Sequence, residues 1–202
     1  EAACNDRVFT PRRGKVLGGT SSVNAMIYAR GHPKDFDQWQ RSGLTGWGYK
    51  DVLPYFKRSE SNWRGETEFH GGAGPLGISQ AGVVNPMHDM LCEAAHKLDL
   101  PVTEDFNGAQ PEGLAIPDMT IKRGRRSSTS RTFLSQARKR TNLHVLTEAR
   151  AHKVIVEENI AIGVQYQRGG QIQIAQANSE VILAGGTYNS PQLLLLSGIG
   201  PA

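Results

Sequence analysis

The 202-residue sequence predicts an α/β fold, with helices and loops in its first half and a strand series in its second. Three observations predict it. Apolar residues recur at helical spacing from Pro33 to Arg41 and again after Asn85. From Asn142 to Gly186 the period changes to short apolar runs, broken at Glu158-Asn159, Gly169-Gly170 and Asn178-Ser179. The stretch VILAGG then joins an apolar run to a glycine pair and a new helix, NSPQLLLLSGIG.

Taken in order, Pro33 suits the first turn of a helix, and Phe36 and Trp39 share one of its faces. GWGYKDVLPYFKRSES reads as a turn and a second helix with Val52, Leu53 and Phe56 inward. Pro54, which lacks an N–H, sets the expected start of that helix near itself. Residues 63–84 are glycine-rich and predict a loop with one short strand. Asn85 is an expected N-cap with Pro86 at the first helical position. The following stripe of Met87, Met90, Leu91, Ala94, Ala95 and Leu98 is expected to pack into the core. Residues 99–121, with Pro101, Gly108, Pro111, Gly113 and Pro117, return to loop, and Ser127–Arg140 turns helical at its end.

The breaks in the second half are turn chemistry, so the strands form a meander that ends in a buried strand, Val181–Leu183. Ser190 is the expected N-cap of the last helix, with Pro191 at its first position. Leu193–Leu196 are expected to be buried and Gly198 to stop the helix. A strand, a Gly-Gly turn and a helix N-terminus form a place where negative oxygens of a ligand meet free backbone N–H groups.

Composition narrows the class. Hydrophobic content of 38% and charged content of 21% suit a soluble globular protein. No apolar run approaches membrane-spanning length. Cys4 and Cys92 match no CxxC or zinc spacing, so reduced thiols in a cytoplasmic setting are expected. The six histidines form no HExxH pair, and no metal site is expected. The net charge of +4 is concentrated between Met119 and Thr147, where no acidic residue occurs. Aromatic residues do not interleave with these charges as base-stacking platforms would, which argues against a nucleic-acid partner. A loop and a solvated helix face, with one or two arginines held by an internal partner, is the plainer reading.

The stretch GKVLGGTSSVNAM, residues 14–26, asks for another explanation. It is not a P-loop, because Phe9 and Val16 stand where glycine and a hydroxyl are required. Nor is it GxGxxG, since Gly18 and Gly19 are adjacent and no regular helix pattern follows. By residue type it is either a close-approach loop, with donors and hydroxyls set for an anion or a flat polar ring, or a tight turn between packed segments.

RGKVLGGTSSVNAMIYARGHPKDFDQW resembles the first signature of the glucose–methanol–choline (GMC) family of flavin oxidoreductases, and GTYNSPQLLLLSGIG resembles the second. GRRSSTSRTFL and RTNLHVLTEARAHKVIV between them are similar to the family's linking segment. The resemblance covers almost the whole chain. It implies part of an FAD-binding Rossmann-like domain with a β-meander, plus part of an α+β substrate domain. Residues 1–62 would be the flavin-contacting and lid segment, 63–120 the substrate side, and 121–202 the strands and helix of the FAD domain. Implied cofactor contacts are Val16, Gly18, Gly19 and Thr20 beside the pyrophosphate and ribityl chain. Asn24, Ala25, Met26 and Ile27 would run along the ring, and the main chain of Ala151 would meet the adenine. Val23 stands where some relatives attach FAD through histidine, so non-covalent FAD is implied.

The implied activity is oxidation of an alcohol CH–OH group to a carbonyl with hydride transfer to flavin, as in the choline-dehydrogenase-like branch. A small alcohol is the implied substrate, and oxygen, a quinone or another acceptor the final oxidant. A hydroxynitrile lyase on the same fold, or a non-catalytic fragment, is the alternative. The family's opening GxGxxG unit and its catalytic histidine have no counterpart among these residues. His32, His70, His88, His96, His144 and His152 match no catalytic position and are expected to be surface or structural. The sequence therefore reads as an internal piece of an enzyme, supplying FAD-binding elements and inactive alone.

Overall fold

The computed structural model describes residues 5–8, 10–82 and 85–201; Cys4 and Phe9, named above, lie outside them, as do the last two positions of the 63–84 segment. The chain is mixed α/β, as predicted, and divides into two compact units, residues 1–141 and 142–202.

In the first unit, helix α1 (Pro33–Arg41) has the predicted bounds. His32 caps it, Nδ1 accepting from Lys34 N–H at 3.1 Å, while Asp35 accepts from His32 N–H at 3.0 Å. Helix α2 (Tyr49–Ser59) starts a turn earlier than Pro54 led us to expect. Its first donors find acceptors that propensity does not reveal: Gly48 N–H donates to Asp51 (3.1 Å) and Tyr49 N–H to Asp37 of α1 (3.0 Å). With that turn secured, the missing N–H of Pro54 is tolerated inside the helix. The two helices meet through Phe36, which is buried and stacks edge-on to Trp39 (5.2 Å) and Phe56 (5.7 Å).

The one short strand expected in residues 63–84 forms as Leu76–Gln80, and a further strand, Glu60–Asn62, begins where the second helix was expected to end. β1 (Glu60–Asn62) runs parallel to β2 (Leu76–Gln80), which pairs antiparallel with β3 (Asp118–Met119). Helix α3 (Pro86–Lys97) has the predicted cap, Asn85 Oδ1 accepting from Met87 N–H at 3.0 Å. Its inward face is a correction. His88, Cys92 and Ala95 turn inward at i, i+4 and i+7, whereas Met87, Met90, Leu91 and Leu98 are exposed. Ala95 is the one residue of the helix that is fully buried, at 5% exposed. β4 (Ile121–Lys122) and β5 (Arg125–Arg126) form a hairpin. A π-helical turn, Ser130–Leu134, then runs into α4 (Ser135–Ala137).

A buried ionic cluster joins the irregular segments of this unit. Glu60, with no exposed surface, accepts through one oxygen from Arg30 (2.8 Å), His70 Nδ1 (2.9 Å) and Gly71 N–H (2.9 Å). His70 Nε2 donates to Asp105 at 2.7 Å. With a carboxylate on each ring nitrogen, His70 is an imidazolium. Burial opposes that charge, but the bonds to Asp105 and Glu60 outweigh it and raise the pKa to about 9. Burial likewise opposes ionisation of Glu60, yet the His70 and Gly71 bonds and the Arg30 charge hold its carboxyl below the ordinary range.

The second unit contains the predicted meander. β6 (Arg150–Glu157), β7 (Ile160–Arg168) and β8 (Gln171–Gln176) are successive antiparallel neighbours. Both reversals are two-residue turns with positive φ throughout: 48° and 65° at Glu158-Asn159, 57° and 79° at Gly169-Gly170. Such turns match the right-handed twist of the flanking strands. Helix α5 (Gly186–Leu196) begins before its expected cap, and Pro191 lies inside it. Ser190 reaches back from the helix, its Oγ accepting from Gly185 N–H at 3.0 Å. Leu193 and Leu194 are half-buried, but Leu195 and Leu196 are exposed, contrary to expectation. Val181–Leu183 forms no strand among the described residues, because a strand is defined by partners and none here pairs with it.

Burial and charge together fix how this unit should respond to substitution and to pH. Glu60→Ala removes the carboxylate that Arg30 and His70 share, leaving two buried cations without their common anion, and should destabilise the chain by about 3–5 kcal/mol in denaturant unfolding. Met90→Ala on the exposed face of α3 should stay within about 0.5 kcal/mol of wild type; a loss of about 2–5 kcal/mol would mean the stripe is core after all. Because the folded-state pKa of His70 is raised from 6.5 to about 9, its stabilisation is complete below pH 6.5 and is lost as pH rises toward 9. Stability measured across that window should fall in the wild type and fall less in His70→Gln.

Candidate functional site

In the loop at residues 14–27, the two adjacent glycines have different reasons. Gly18 has φ 91°, and a Cβ there would lie 2.5 Å from Ser22 Oγ and 3.0 Å from Ser130 Cβ. It is glycine because the protein itself fills the space. Gly19 also has positive φ, 53°, but a Cβ there would meet nothing within 4 Å. It opens a 3₁₀ turn, Gly19–Ser22, whose first N–H donates to Val16 O at 2.8 Å. One glycine of the pair therefore faces the interior and the other faces open space.

The hydroxyls of Ser21 and Ser22 follow the tight-turn alternative of the sequence reading. Ser21 Oγ donates to Gly18 O (2.5 Å) and Ser22 Oγ to Leu17 O (2.9 Å). Ser21 Oγ also accepts from Thr129 N–H at 3.0 Å, and Thr20 Oγ1 accepts weakly from Gly14 N–H at 3.4 Å. These groups close the loop on itself, because carbonyls in so tight a turn have no ladder to join. The turn reading and the open-face reading thus both apply, to different residues of one stretch.

Arg126 of β5 fixes the next part. Its guanidinium donates to Asn24 O (2.7 Å), Asn24 Oδ1 (2.8 Å) and Ser21 O (3.3 Å). The expectation of an arginine with an internal partner is met at this position; sequence could not say which of the basic residues it would be. Asn24 Oδ1 also accepts from Met26 N–H at 3.1 Å, so this side chain is occupied inside the loop. Met26 has φ 67°, unusual for a residue with a Cβ, and its carbonyl accepts from Thr120 N–H at 2.7 Å. Strain of this kind persists where its surroundings over-determine the backbone. Val16, Thr20, Ala25 and Ile27 are left exposed on the same loop, with Val16 at 54% and Ile27 at 57%.

Of the sequence-derived residues, Val16, Gly18, Gly19, Thr20, Asn24, Ala25, Met26 and Ile27 share this loop, and Ala151 belongs to the second unit. There it lines a cleft of about 760 Å³ with Arg150, His152, Gly185, Asn189 and Leu193. That volume is in the range of small-molecule sites. The ladder of β6 slips between Ala151 and Lys153, a bulge that turns His152 aside. His152 Nε2 is buried there without a partner among the described residues. The sequence signals missed were Arg126, Thr129 and the Glu60 cluster, whose partners lie far away along the chain.

The sequence model of the family described as GMC oxidoreductase matches residues 1–202. The chain is 45% identical over 202 residues to an oxygen-dependent choline dehydrogenase of Sinorhizobium fredii, covering all of this chain and 37% of that protein. It is 44% identical over 203 residues to the enzyme of that name from Photobacterium profundum, covering 36% of it. Among solved structures, pyridoxine 4-oxidase from Mesorbium loti aligns with TM-score 0.85 and 36% identity over 94% of this chain and 38% of that one. An FAD-dependent oxidoreductase from Chaetomium thermophilum aligns with TM-score 0.86 and 30% identity, over 94% and 35%. The sequence thus spans little more than a third of these proteins, and it belongs to the GMC oxidoreductase family, in the N-terminal region.

Proposed function

We propose that this chain supplies FAD-contacting elements of a flavin oxidoreductase that oxidises an alcohol CH–OH group to a carbonyl, in the manner of its choline-dehydrogenase relatives. The observation that carries the reading is the open backbone face at Gly19, flanked by exposed Val16, Ala25 and Ile27 on a loop otherwise tied down from within. A flat, partly apolar group fits such a surface better than a small anion would, because the Ser21 and Ser22 hydroxyls donate to carbonyls of the loop itself and Thr20 is the one hydroxyl of this stretch left on the outer surface. FAD, when bound, supplies the two-electron acceptor chemistry of the oxidation.

This chain's residues bind and orient. Gly18, Ser21, Ser22 and Arg126 hold the loop in shape; Val16, Gly19, Thr20, Ala25 and Ile27 present its outer surface, and Met26 keeps the backbone turned. In the second unit, the main chain at Ala151 would recognise the adenine, in keeping with the cleft it lines. On this reading residues 1–62 contact and cover the flavin, 63–120 face the substrate, and 121–202 contribute to a Rossmann-like FAD domain. The substrate would be a small alcohol and the electron acceptor oxygen, a quinone or another oxidant.

The loop is tested in the holoenzyme by two substitutions. Asn tolerates positive φ, so Gly19→Asn should leave the melting temperature near wild type while weakening FAD at least tenfold. Gly18→Val, which collides with Ser22 and Ser130, should lower the melting temperature as well. Full flavin content in a folded Gly19→Asn enzyme would remove the cofactor from this loop. Val23 offers no atom for a covalent bond, so acid precipitation should leave the flavin in the supernatant; flavin retained in the pellet would contradict non-covalent binding.

A further inference from the structure

The two edges of the meander sheet differ in a way that the cofactor reading does not use. β6 has register slips at Ala151/Lys153 and Ile155/Val156, and it carries Arg150, Lys153 and Glu157. Its Val154 N–H is already taken by Ser197 Oγ at 2.8 Å. Bulges and charges of this kind are how an edge avoids pairing with another chain. β8, QIQIAQ, has none of them: no bulge, no charge, no proline, and every residue exposed. Among the described residues no strand covers it.

The hydrogen-bond phase shows what that edge offers. Ala177 N–H donates to Ile162 O at 2.9 Å, in register with the β7–β8 ladder. In an antiparallel pair, bonded and non-bonded residues alternate. Gln171, Gln173 and Ala175 therefore bond to β7, while Ile172, Ile174 and Gln176 turn their N–H and C=O groups to the free edge. These three side chains share one face, where Ile172 is 52% and Ile174 59% exposed.

We propose that the β8 edge docks a second copy of this chain, the two strands pairing antiparallel about a two-fold axis through Ile174. The outward-turned set is self-complementary. Ile174 meets Ile174, and Ile172 meets Gln176 in both directions, each pair exchanging two backbone hydrogen bonds. No like charges face each other, and the exposed isoleucines of the two copies form one apolar stripe across the joint. Among the described residues the meander has one such edge, and pairing about a two-fold axis uses it up, so this contact closes at two.

Sedimentation equilibrium of the holoenzyme over a wide concentration range tests this, with unchanged far-UV circular dichroism and flavin content required of each variant. The wild type should be in a monomer–dimer equilibrium. Ile174→Lys brings two like charges together at the axis and should raise the dissociation constant at least tenfold. Paired residues of this type sit about 5.5 Å apart between Cα atoms, within disulfide reach. Ile174→Cys, with Cys4→Ser and Cys92→Ser, should therefore oxidise to a covalent dimer. A wild type that stays monomeric at every concentration, a dimer indifferent to Ile174→Lys, or assemblies larger than two would each overturn the proposal.

Discussion

The Glu60 carboxylate, wholly buried and shared by Arg30, His70 and Gly71, is the constraint on which the first unit depends. The segments it joins, around residues 30, 70 and 105, have almost no regular structure. A buried loop must satisfy its polar groups without the help of a ladder. Few apolar residues of this unit are deeply buried, Phe36, Ile78 and Ala95 among those described, so charged hydrogen bonds take over part of the ordering. A buried cluster of this kind specifies one arrangement strictly, because any member left unpaired costs several kcal/mol.

That ordering extends along the backbone to the loop. Asn107 accepts from Arg30 N–H at 2.8 Å and donates to Tyr28 O at 3.1 Å. Tyr28 N–H donates to Asp118 O at 2.7 Å, and Thr120 N–H to Met26 O at 2.7 Å. Each second residue from Met26 to Arg30 is thus tied to a segment distant in sequence. Together with the Arg126 clamp on Asn24, these bonds explain how Met26 keeps a left-handed backbone. Asp118 is itself engaged by Arg64 and by Trp63 Nε1 at 2.9 Å, so the supports are themselves supported.

The interior and exterior surfaces of the loop consequently have separate chemistry. Polar side chains turn inward to hold the shape, and backbone with small or apolar side chains faces outward. Residue type alone left open whether the hydroxyls faced a ligand or closed a tight turn. The inward assignment wins because Gly18 O and Leu17 O lie within reach of Ser21 and Ser22 in a turn too tight for backbone partners.

Local backbone chemistry was legible in the sequence. Glu158-Asn159 and Gly169-Gly170 placed both hairpin turns, Asn85-Pro86 placed the start of α3, and Pro33 that of α1. The glycine pair marked the loop, and two long signatures marked the family. Each of these depends on residues adjacent in the chain, whose allowed φ and ψ are set by their own side chains. Only the tertiary structure decided the rest. The start of α2 depended on Asp37 from another helix, and the inward face of α3 on which neighbour covered it. Whether Val181–Leu183 became a strand depended on a pairing partner, and the difference between Gly18 and Gly19 on Ser130, far away in sequence. An amphipathic pattern states which side of an element is apolar; which side is buried is decided by what the rest of the chain brings against it.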